Sequence, residues 1–308
     1  MDIKDKAEHI NDILKKFLPQ QPFDEGSIED AMDYSVMAGG KRLRAIMMLE
    51  SFRLYNSDTD LEKNLVEPFA AAIEFIHAYS LVHDDLPSMD NDMYRRGKLT
   101  THAKYGHAMG VLTGDALLNF AFETMTKAAV KLSSMRGEIA AELGMRACRA
   151  MSVIAEKAGY SGMIGGQVMD VCSDDRSDDR SQDLDFLYKI YELKTSRLFQ
   201  ASLCAGAILA GAEDRQIAAM NEIGYSIGEA FQIKDDILDT TADFEQLGKD
   251  IGSDAKNNKN TVASILGIEK AQKLVDEYLD RATRLLDEQS GNKSFFNDLI
   301  EYLRIRNK

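Results

Sequence analysis

Two groups of aspartates are the residues of this chain most able to do chemistry. The first group lies within nine residues and consists of Asp84, Asp85, Asp90 and Asp92. The second group consists of Asp235, Asp236 and Asp239. Carboxylates this close repel one another by about 1 kcal/mol per pair in water and by about 4 kcal/mol near a protein surface. Metal ions or cationic side chains must therefore offset the repulsion.

The ligand type of both groups favours Mg²⁺. Asp235 and Asp239 are four residues apart, so on a helix they share one face, a single turn from each other. Carboxylate oxygens without histidine or cysteine ligands suit a hard cation that also binds substrate phosphates. A calcium loop is excluded, because its twelve-residue pattern of Gly and Glu fits neither group.

The first group cannot lie on a regular helix. Asp84 and Asp90 are six residues apart, which is roughly 240° around a helix. Pro87 lies between them and interrupts helical hydrogen bonding. We predict that the helix ends or bulges near 86–89 and that Asp90 returns to the side of Asp84.

Basic residues cluster as sharply as the acidic ones. They form three groups: Lys41, Arg42 and Arg44; Arg95 and Arg96; and Lys249, Lys256 and Lys259. With a net charge of -14, the chain does not need these cations for solubility. The combination predicts a diphosphate held by magnesium on one side and by Lys and Arg on the other.

The elements that position these residues are predicted to be helices. All four prolines precede residue 88, and segments such as 114–132 and 274–289 carry apolar residues at three- and four-residue spacing. We predict an all-α fold, a single large helical bundle with a central cavity, in one domain over 1–308. Turns are expected near Gly39 and Gly40, Gly110, Gly162, Gly211 and Gly248, and a mobile loop is expected at 172–185.

Composition excludes several classes of protein. The acidic balance, with a sequence pI near 4.9, argues against binding to nucleic acid. We expect neither a signal peptide nor a membrane span, and therefore a cytoplasmic protein. Cys148, Cys172 and Cys204 form no CxxC pair, which favours three reduced thiols.

Seven motifs together resemble one known family. In chain order they are GGKRLR, HAYSLVHDDLPSMDNDMYRRGKLTTH, LTGDALLNFAFE, GGQVMD, KTSRLF, FQIKDDILD and GKDIGSD, within 39–254. Their order is similar to that of the trans-isoprenyl diphosphate synthases, within them the bacterial-type farnesyl diphosphate synthases. The resemblance implies the isoprenoid synthase fold, a homodimer and prenyl chain elongation. Ala45 departs from the family, which usually has proline there.

The resemblance also implies roles for the motif residues. Ligands and neighbours of about three Mg²⁺ ions would be Asp84, Asp85, Asp90, Asp235, Asp236 and Asp239. Contacts to an allylic diphosphate would come from Arg95, Lys194, Lys249 and Lys259. Isopentenyl diphosphate would bind Lys41, Arg44, His77 and Arg96. Thr195 and Gln232, with the Lys194 carbonyl, would steady an allylic cation.

The residues before the first aspartates are expected to set product length. Tyr79 and Ser80 lie about one turn before Asp84, and a bulky residue at the position of Tyr79 usually stops the family's product at fifteen carbons. We therefore expect farnesyl diphosphate, with geranylgeranyl diphosphate as the alternative. A terpene cyclase is disfavoured by DDILD and GGKRLR, and a non-catalytic partner subunit by the presence of both aspartate groups.

Overall fold

The structure is a computed structural model that describes residues 3–20, 22–133, 137–173, 183–246 and 260–306. Their helices are α1 (Ile3–Phe17), α2 (Ile28–Val36), α3 (Leu43–Tyr55), α4 (Thr59–Leu61), α5 (Glu67–Asp84), α6 (Thr101–Tyr105), α7 (His107–Ser133), α8 (Glu138–Ala158), α9 (Met163–Ser173), α10 (Leu184–Ile190), α11 (Arg197–Ala210), α12 (Asp214–Gln246), α13 (Val262–Leu266), α14 (Ile268–Asp287) and α15 (Ser294–Ile305). Two further segments are π-helical: π1 (Glu62–Val66) and π2 (Tyr191–Ser196).

The prediction of an all-α fold is confirmed. Within the described ranges the strands are β1 (Tyr94–Arg95) and β2 (Lys98–Leu99), which pair antiparallel as a short hairpin. The chain separates into two compact units. Unit 1 consists of Met1–Ile154 and Ala205–Ala212, and unit 2 of Ala155–Cys204 and Glu213–Lys308. A single domain over the whole chain stays a prediction.

Helix α5 forms the centre of unit 1. It is apolar on nearly all sides, and twelve of its eighteen residues are buried, which is the pattern of a core helix. It packs along α7, where the rings of Phe75 and Phe120 lie 5.3 Å apart, and against α3. The stretch Thr59–Asp84 is long and apolar enough to cross a membrane, but 78% of its apolar window is buried inside the protein. Its apolarity is therefore accounted for by the core.

Helix α12 is the longest helix of unit 2 and packs against α14 and π2. Two glycines allow close packing around π2. A Cβ at Gly228 of α12 would lie 2.5 Å from the Cα of Ser196, and a Cβ at Gly166 of α9 would lie 2.3 Å from the backbone N of Lys194. Both helices can therefore bring polar side chains against the π-helical turn.

The predicted turns are mostly found where expected. Chain reversals occur at Gly39 and Gly40, Gly162 and Gly211, whereas Gly248 lies outside the described residues. The prediction of a turn at Gly110 is wrong, because this residue lies inside α7. A Cβ there would come within 2.9 Å of both His102 and Leu86, so the glycine provides close packing. Most of the expected loop at 172–185, namely 174–182, also lies outside the described residues.

Candidate active site

The first aspartate group lies where α5 ends. The helix stops at Asp84, and the next backbone hydrogen bonds are those of a turn. The backbone N–H of Asp90 donates to the carbonyl oxygen of Asp84 at 2.9 Å. The predicted return of Asp90 to the side of Asp84 is thus confirmed, and Pro87 is the local cause, because it cannot donate a helical hydrogen bond.

Asp85 points away from solvent and is held by Arg95. The Arg95 Nε lies 2.7 Å from Oδ1 and 3.0 Å from Oδ2 of Asp85, and its Nη2 lies 2.6 Å from Oδ1. Burial raises the pKa of Asp85, while the hydrogen bonds from Arg95 oppose that rise. A direct bond from Asp85 to a metal ion would have to compete with this bidentate pair. The geometry favours Asp85 as the residue that orients Arg95.

The second aspartate group lies inside α12. The helix continues past these aspartates to Gln246. Asp235 and Asp239 are one turn apart, and Asp239 is exposed. Asp236 is 6% exposed and accepts hydrogen bonds from Tyr191 Oη and, at 3.1 Å, from Gln232 Nε2. Both oxygens of Asp236 therefore have protein partners.

Arg306 contacts the second aspartate group, and the sequence did not predict this contact. Its Nη2 donates to Asp235 Oδ1, and its guanidinium lies 4.9 Å from the centre of the Phe231 ring. The contact joins residues 71 positions apart, so no local pattern could reveal it. The cation occupies part of the coordination space of a carboxylate that we expect to bind metal.

The π-helical segment π2 carries Lys194 and Thr195. Lys194 Nζ donates to Asp170 Oδ2 of α9 at 2.6 Å, and Thr195 Oγ1 donates to Gln232 Oε1 of α12 at 2.7 Å. The structure thus brings together the Thr195 hydroxyl and the Gln232 amide, two groups to which the resemblance assigns one role. Asp170 had no predicted role, although it ends the GGQVMD motif quoted from the sequence.

Arg44 and His77 meet in unit 1. Arg44 Nη1 lies 3.2 Å from His77 Nε2. Because a guanidinium has only donors, the imidazole nitrogen is the acceptor and its other nitrogen carries the proton. Burial lowers the pKa of His77 well below its ordinary value, and the positive charges of Arg44, Arg96, Arg42 and Arg95 lower it further. His77 is therefore a neutral hydrogen-bonding group at neutral pH.

Arg42 proves to be structural. It precedes α3 with a positive φ of 53°, and the residue is 6% exposed. It donates to Asn11 Oδ1 at 2.9 Å and to the Val36 carbonyl at 2.6 Å, and it lies 3.5 Å from Oε2 of the buried Glu74. Ala45 N–H donates to the other carboxylate oxygen of Glu74 at 3.2 Å.

One cavity of unit 1 gathers several residues of both predicted diphosphate sites. Among the residues that line it are His77, Asp85, Arg95 and Arg96. Arg96, at a positive φ of 54°, also donates to the Gly39 carbonyl and so ties the loop after the first aspartates to the Gly-Gly turn. Lys41 is exposed and is not among the residues that line the cavity.

The two residues expected to set product length differ in environment. Tyr79 is 5% exposed, and its ring packs edge-to-face on His83 at 5.9 Å. Its hydroxyl is buried without a hydrogen-bond partner, and burial raises its pKa to about 12. Ser80 donates to the His77 carbonyl at 2.9 Å. A Cβ at Gly114 would lie 2.0 Å from His83 Nε2, so this glycine makes room for the ring that supports Tyr79.

Two predicted contacts cannot be placed. Lys249 and Lys259 lie outside the described residues. Among the residues that are described, no three Asp, Glu, His or Cys side chains form a group that could by itself hold a metal ion. Mg²⁺ commonly takes only one or two protein carboxylates and completes its coordination with substrate oxygens and water.

Comparison with known proteins identifies the family of the chain. Residues 25–299 match the family model described as polyprenyl synthetase. The chain is 36% identical over 310 residues to a farnesyl diphosphate synthase of Micrococcus luteus, covering 99% of this chain and 97% of the relative. It is 37% identical over 278 residues to a geranylgeranyl diphosphate synthase of Cyanophora paradoxa, covering 90% and 86%.

A solved structure is similar to this chain over nearly its whole length. An FPP/GFPP synthase of Zymomonas mobilis aligns with a TM-score of 0.77 and 31% identity, over 98% of this chain and 94% of that one. The fold is that of the isoprenyl synthases. The chain belongs to the polyprenyl synthetase family, and its activity is that of a trans-prenyltransferase acting on isoprenoid diphosphates.

Proposed function

We propose that this protein is a farnesyl diphosphate synthase, which joins isopentenyl diphosphate to dimethylallyl and then to geranyl diphosphate to give (E,E)-farnesyl diphosphate. The observation that carries the product assignment is Tyr79, a bulky and buried side chain about one turn before Asp84. A growing chain that runs from the aspartates along α5 would meet this ring. Geranylgeranyl diphosphate is the second candidate, because the chain is also similar to a synthase of that product.

We propose that about three Mg²⁺ ions take part. The donor set fits: Asp84 and Asp90 are brought together by the backbone, and Asp235 and Asp239 share one face of α12. All four offer only carboxylate oxygens, the ligands that Mg²⁺ prefers. Bound Mg²⁺ supplies positive charge to the diphosphate oxygens of the allylic substrate and so makes diphosphate a better leaving group.

The cations expected to bind the allylic diphosphate are already oriented. Arg95 is held by Asp85 and Lys194 by Asp170. A long side chain that is fixed before binding loses less conformational entropy when the ligand arrives. Lys249 and Lys259 are proposed to complete this set. Cations aimed at the leaving diphosphate stabilise the charge that develops as its C–O bond breaks.

Isopentenyl diphosphate is proposed to bind Lys41, Arg44, His77 and Arg96. Arg96 and His77 line the cavity of unit 1. Neutral His77 accepts a hydrogen bond from Arg44, which brings a second guanidinium to this site. The diphosphate is thus met by guanidinium groups, which can bind phosphate in a bidentate manner.

The allylic cation is proposed to form beside the oxygens of Thr195, Gln232 and the Lys194 backbone. These neutral dipoles stabilise positive charge without forming a covalent bond to it. The double bond of isopentenyl diphosphate attacks the cation, and the proton then leaves with the released diphosphate. No nucleophilic side chain is needed.

Paired substitutions test the assignment of the two diphosphate sites. Arg44→Ala should raise the KM for isopentenyl diphosphate and leave that for the allylic primer nearly unchanged. Lys194→Ala should do the opposite, because its ammonium belongs to the allylic site. Steady-state kinetics with one substrate varied at saturation of the other measure both values. Equal effects of each variant on both substrates would show that the partition is wrong.

We also propose a cytoplasmic homodimer. Helix α7 and the part of α8 that lies in unit 1 carry apolar side chains that are largely exposed in the single chain. Leu112 is 56% exposed, Ile139 75% and Met145 70%. Surfaces of this kind are commonly covered by a partner. Light scattering after size exclusion should give twice the chain mass of 34.3 kDa. A mass equal to that of one chain at micromolar concentration would contradict the dimer.

A further inference from the structure

Tyr191 joins three elements of unit 2 through one hydroxyl group. The residue lies at the start of π2 and is 7% exposed. Its hydroxyl donates to Asp236 Oδ2 of α12. The same hydroxyl accepts, at 3.1 Å, from the backbone N–H of Val262, the first residue of α13. One group thus uses both its donor and its acceptor capacity.

The hydrogen bonds continue from Asp236 to the residues expected to steady the allylic cation. Asp236 Oδ1 accepts from Gln232 Nε2, and Gln232 Oε1 accepts from Thr195 Oγ1. Since a carboxylate can only accept, Gln232 must turn its amide nitrogen towards Asp236 and its oxygen towards Thr195. The orientation of the Gln232 dipole therefore depends on where Asp236 is held.

The same contact holds one face of α12 against π2. Successive helical residues are about 100° apart around the axis. With Asp236 fixed against π2, the neighbouring residues Asp235 and Asp239 are directed to a different side of the helix. The Tyr191 hydroxyl therefore binds Asp236 and leaves Asp235 and Asp239, the two carboxylates expected to bind metal, on another side of the helix.

We propose that Tyr191 is a positioning residue for prenyl transfer: through Asp236 it aligns the carboxylates of α12 and the Gln232–Thr195 pair, and through Val262 it fixes the start of α13. This proposal rests on the proposed function, because the aligned groups are those assigned to it. In this role Tyr191 acts through its bonds to Asp236 and Val262 and not by contact with substrate or metal. Its contribution is to hold the reacting groups within a productive geometry.

The test uses Tyr191→Phe, which removes only the hydroxyl, with Tyr188→Phe as the matched control on the preceding helix α10. We expect Tyr191→Phe to lower kcat by about ten- to a hundredfold, as a small misplacement of reacting groups does. The KM for isopentenyl diphosphate should stay within about twofold, because that site lies on other residues. Tyr188→Phe should leave both parameters unchanged.

A second readout needs no turnover. Hydrogen exchange of the peptide spanning 260–266, measured on the protein without substrates, should show the Val262 amide exchanging about fivefold faster in Tyr191→Phe, the effect of losing one hydrogen bond. Asp236→Asn is the second variant. It keeps an acceptor for Tyr191 but places an amide where Gln232 donates, so kcat should fall while exchange at Val262 stays as in the wild type.

The outcomes are distinguishable. A Tyr191→Phe enzyme with a kcat equal to that of Tyr188→Phe would overturn the proposal, as would a uniform rise in the KM of both substrates. Unchanged exchange at Val262 would overturn the link to α13. A wild-type enzyme without any prenyl product would overturn the proposed function itself, and this is seen before any substitution is made.

Discussion

Replacing Glu74 by Gln should destabilise unit 1 without changing its packing. Glu74 is 2% exposed and lies 3.5 Å from the guanidinium of Arg42, which is itself 6% exposed. Gln has the same shape and keeps an oxygen to accept the Ala45 N–H, but it removes the negative charge. The buried cation of Arg42 then has only two neutral acceptors, Asn11 and the Val36 carbonyl.

The size of the effect follows from burial. Removing one partner of a buried ion pair typically costs about 3–5 kcal/mol. Because Arg42 keeps two hydrogen bonds, we expect a loss near the lower end, about 3 kcal/mol. For a unit of this size that corresponds to a fall in Tm of about 6–12 °C. The negative charge of Glu74 also acts on the nearby cations Arg44 and Arg96, and both would lose this attraction in the variant.

Thermal unfolding followed by circular dichroism is the assay. The control is Glu123→Gln, which breaks the exposed pair with Lys127 on α7 and should cost less than about 1 kcal/mol. Inorganic diphosphate should raise the Tm of Glu74→Gln more than that of the wild type, because the anion supplies the missing charge. A Tm for Glu74→Gln no lower than that of the control would refute the reasoning.

Four further substitutions test other parts of the account. Ala45→Pro removes the N–H that donates to Glu74 and should cost about 1–3 kcal/mol in the same melts; unchanged stability would show that this bond contributes nothing. Ala at Asp84 or Asp235 should lower kcat by about a hundredfold or more with an unchanged helical spectrum, and near-normal turnover in both would rule out their metal role. Tyr79→Ala should lengthen the product, as thin-layer separation of the prenyl alcohols would show, whereas an unchanged fifteen-carbon product would exclude Tyr79 as the floor.

The local features of the site could be predicted from the sequence. Pro87 ends α5 at Asp84 because its effect is confined to a few residues, and the four-residue spacing of Asp235 and Asp239 is a property of any helix. The helical fold follows from apolar periodicity and from the absence of proline after residue 87. Each of these inferences needs only neighbours along the chain.

The pairing of side chains could not be predicted in the same way. Three contacts of the site join residues that are far apart in the sequence: Arg306 with Asp235, Tyr191 with Asp236, and Arg42 with Glu74. Which cation neutralises which carboxylate depends on packing between helices.

The role of a glycine was also difficult to predict from the sequence. Gly110 is predicted to form a turn, but in α7 it provides space for His102. A glycine in a helical pattern has the same sequence signal in either role.

The most direct measurement is the length of the product made by the purified protein. Labelled isopentenyl diphosphate is incubated with Mg²⁺ and, separately, with dimethylallyl, geranyl or farnesyl diphosphate, and the products are sized after dephosphorylation. We predict a fifteen-carbon product from the first two primers, little elongation of the third, and no product when Mg²⁺ is chelated. A mainly twenty-carbon product would contradict the farnesyl assignment, and no condensation with any primer would contradict the account of the site as a whole.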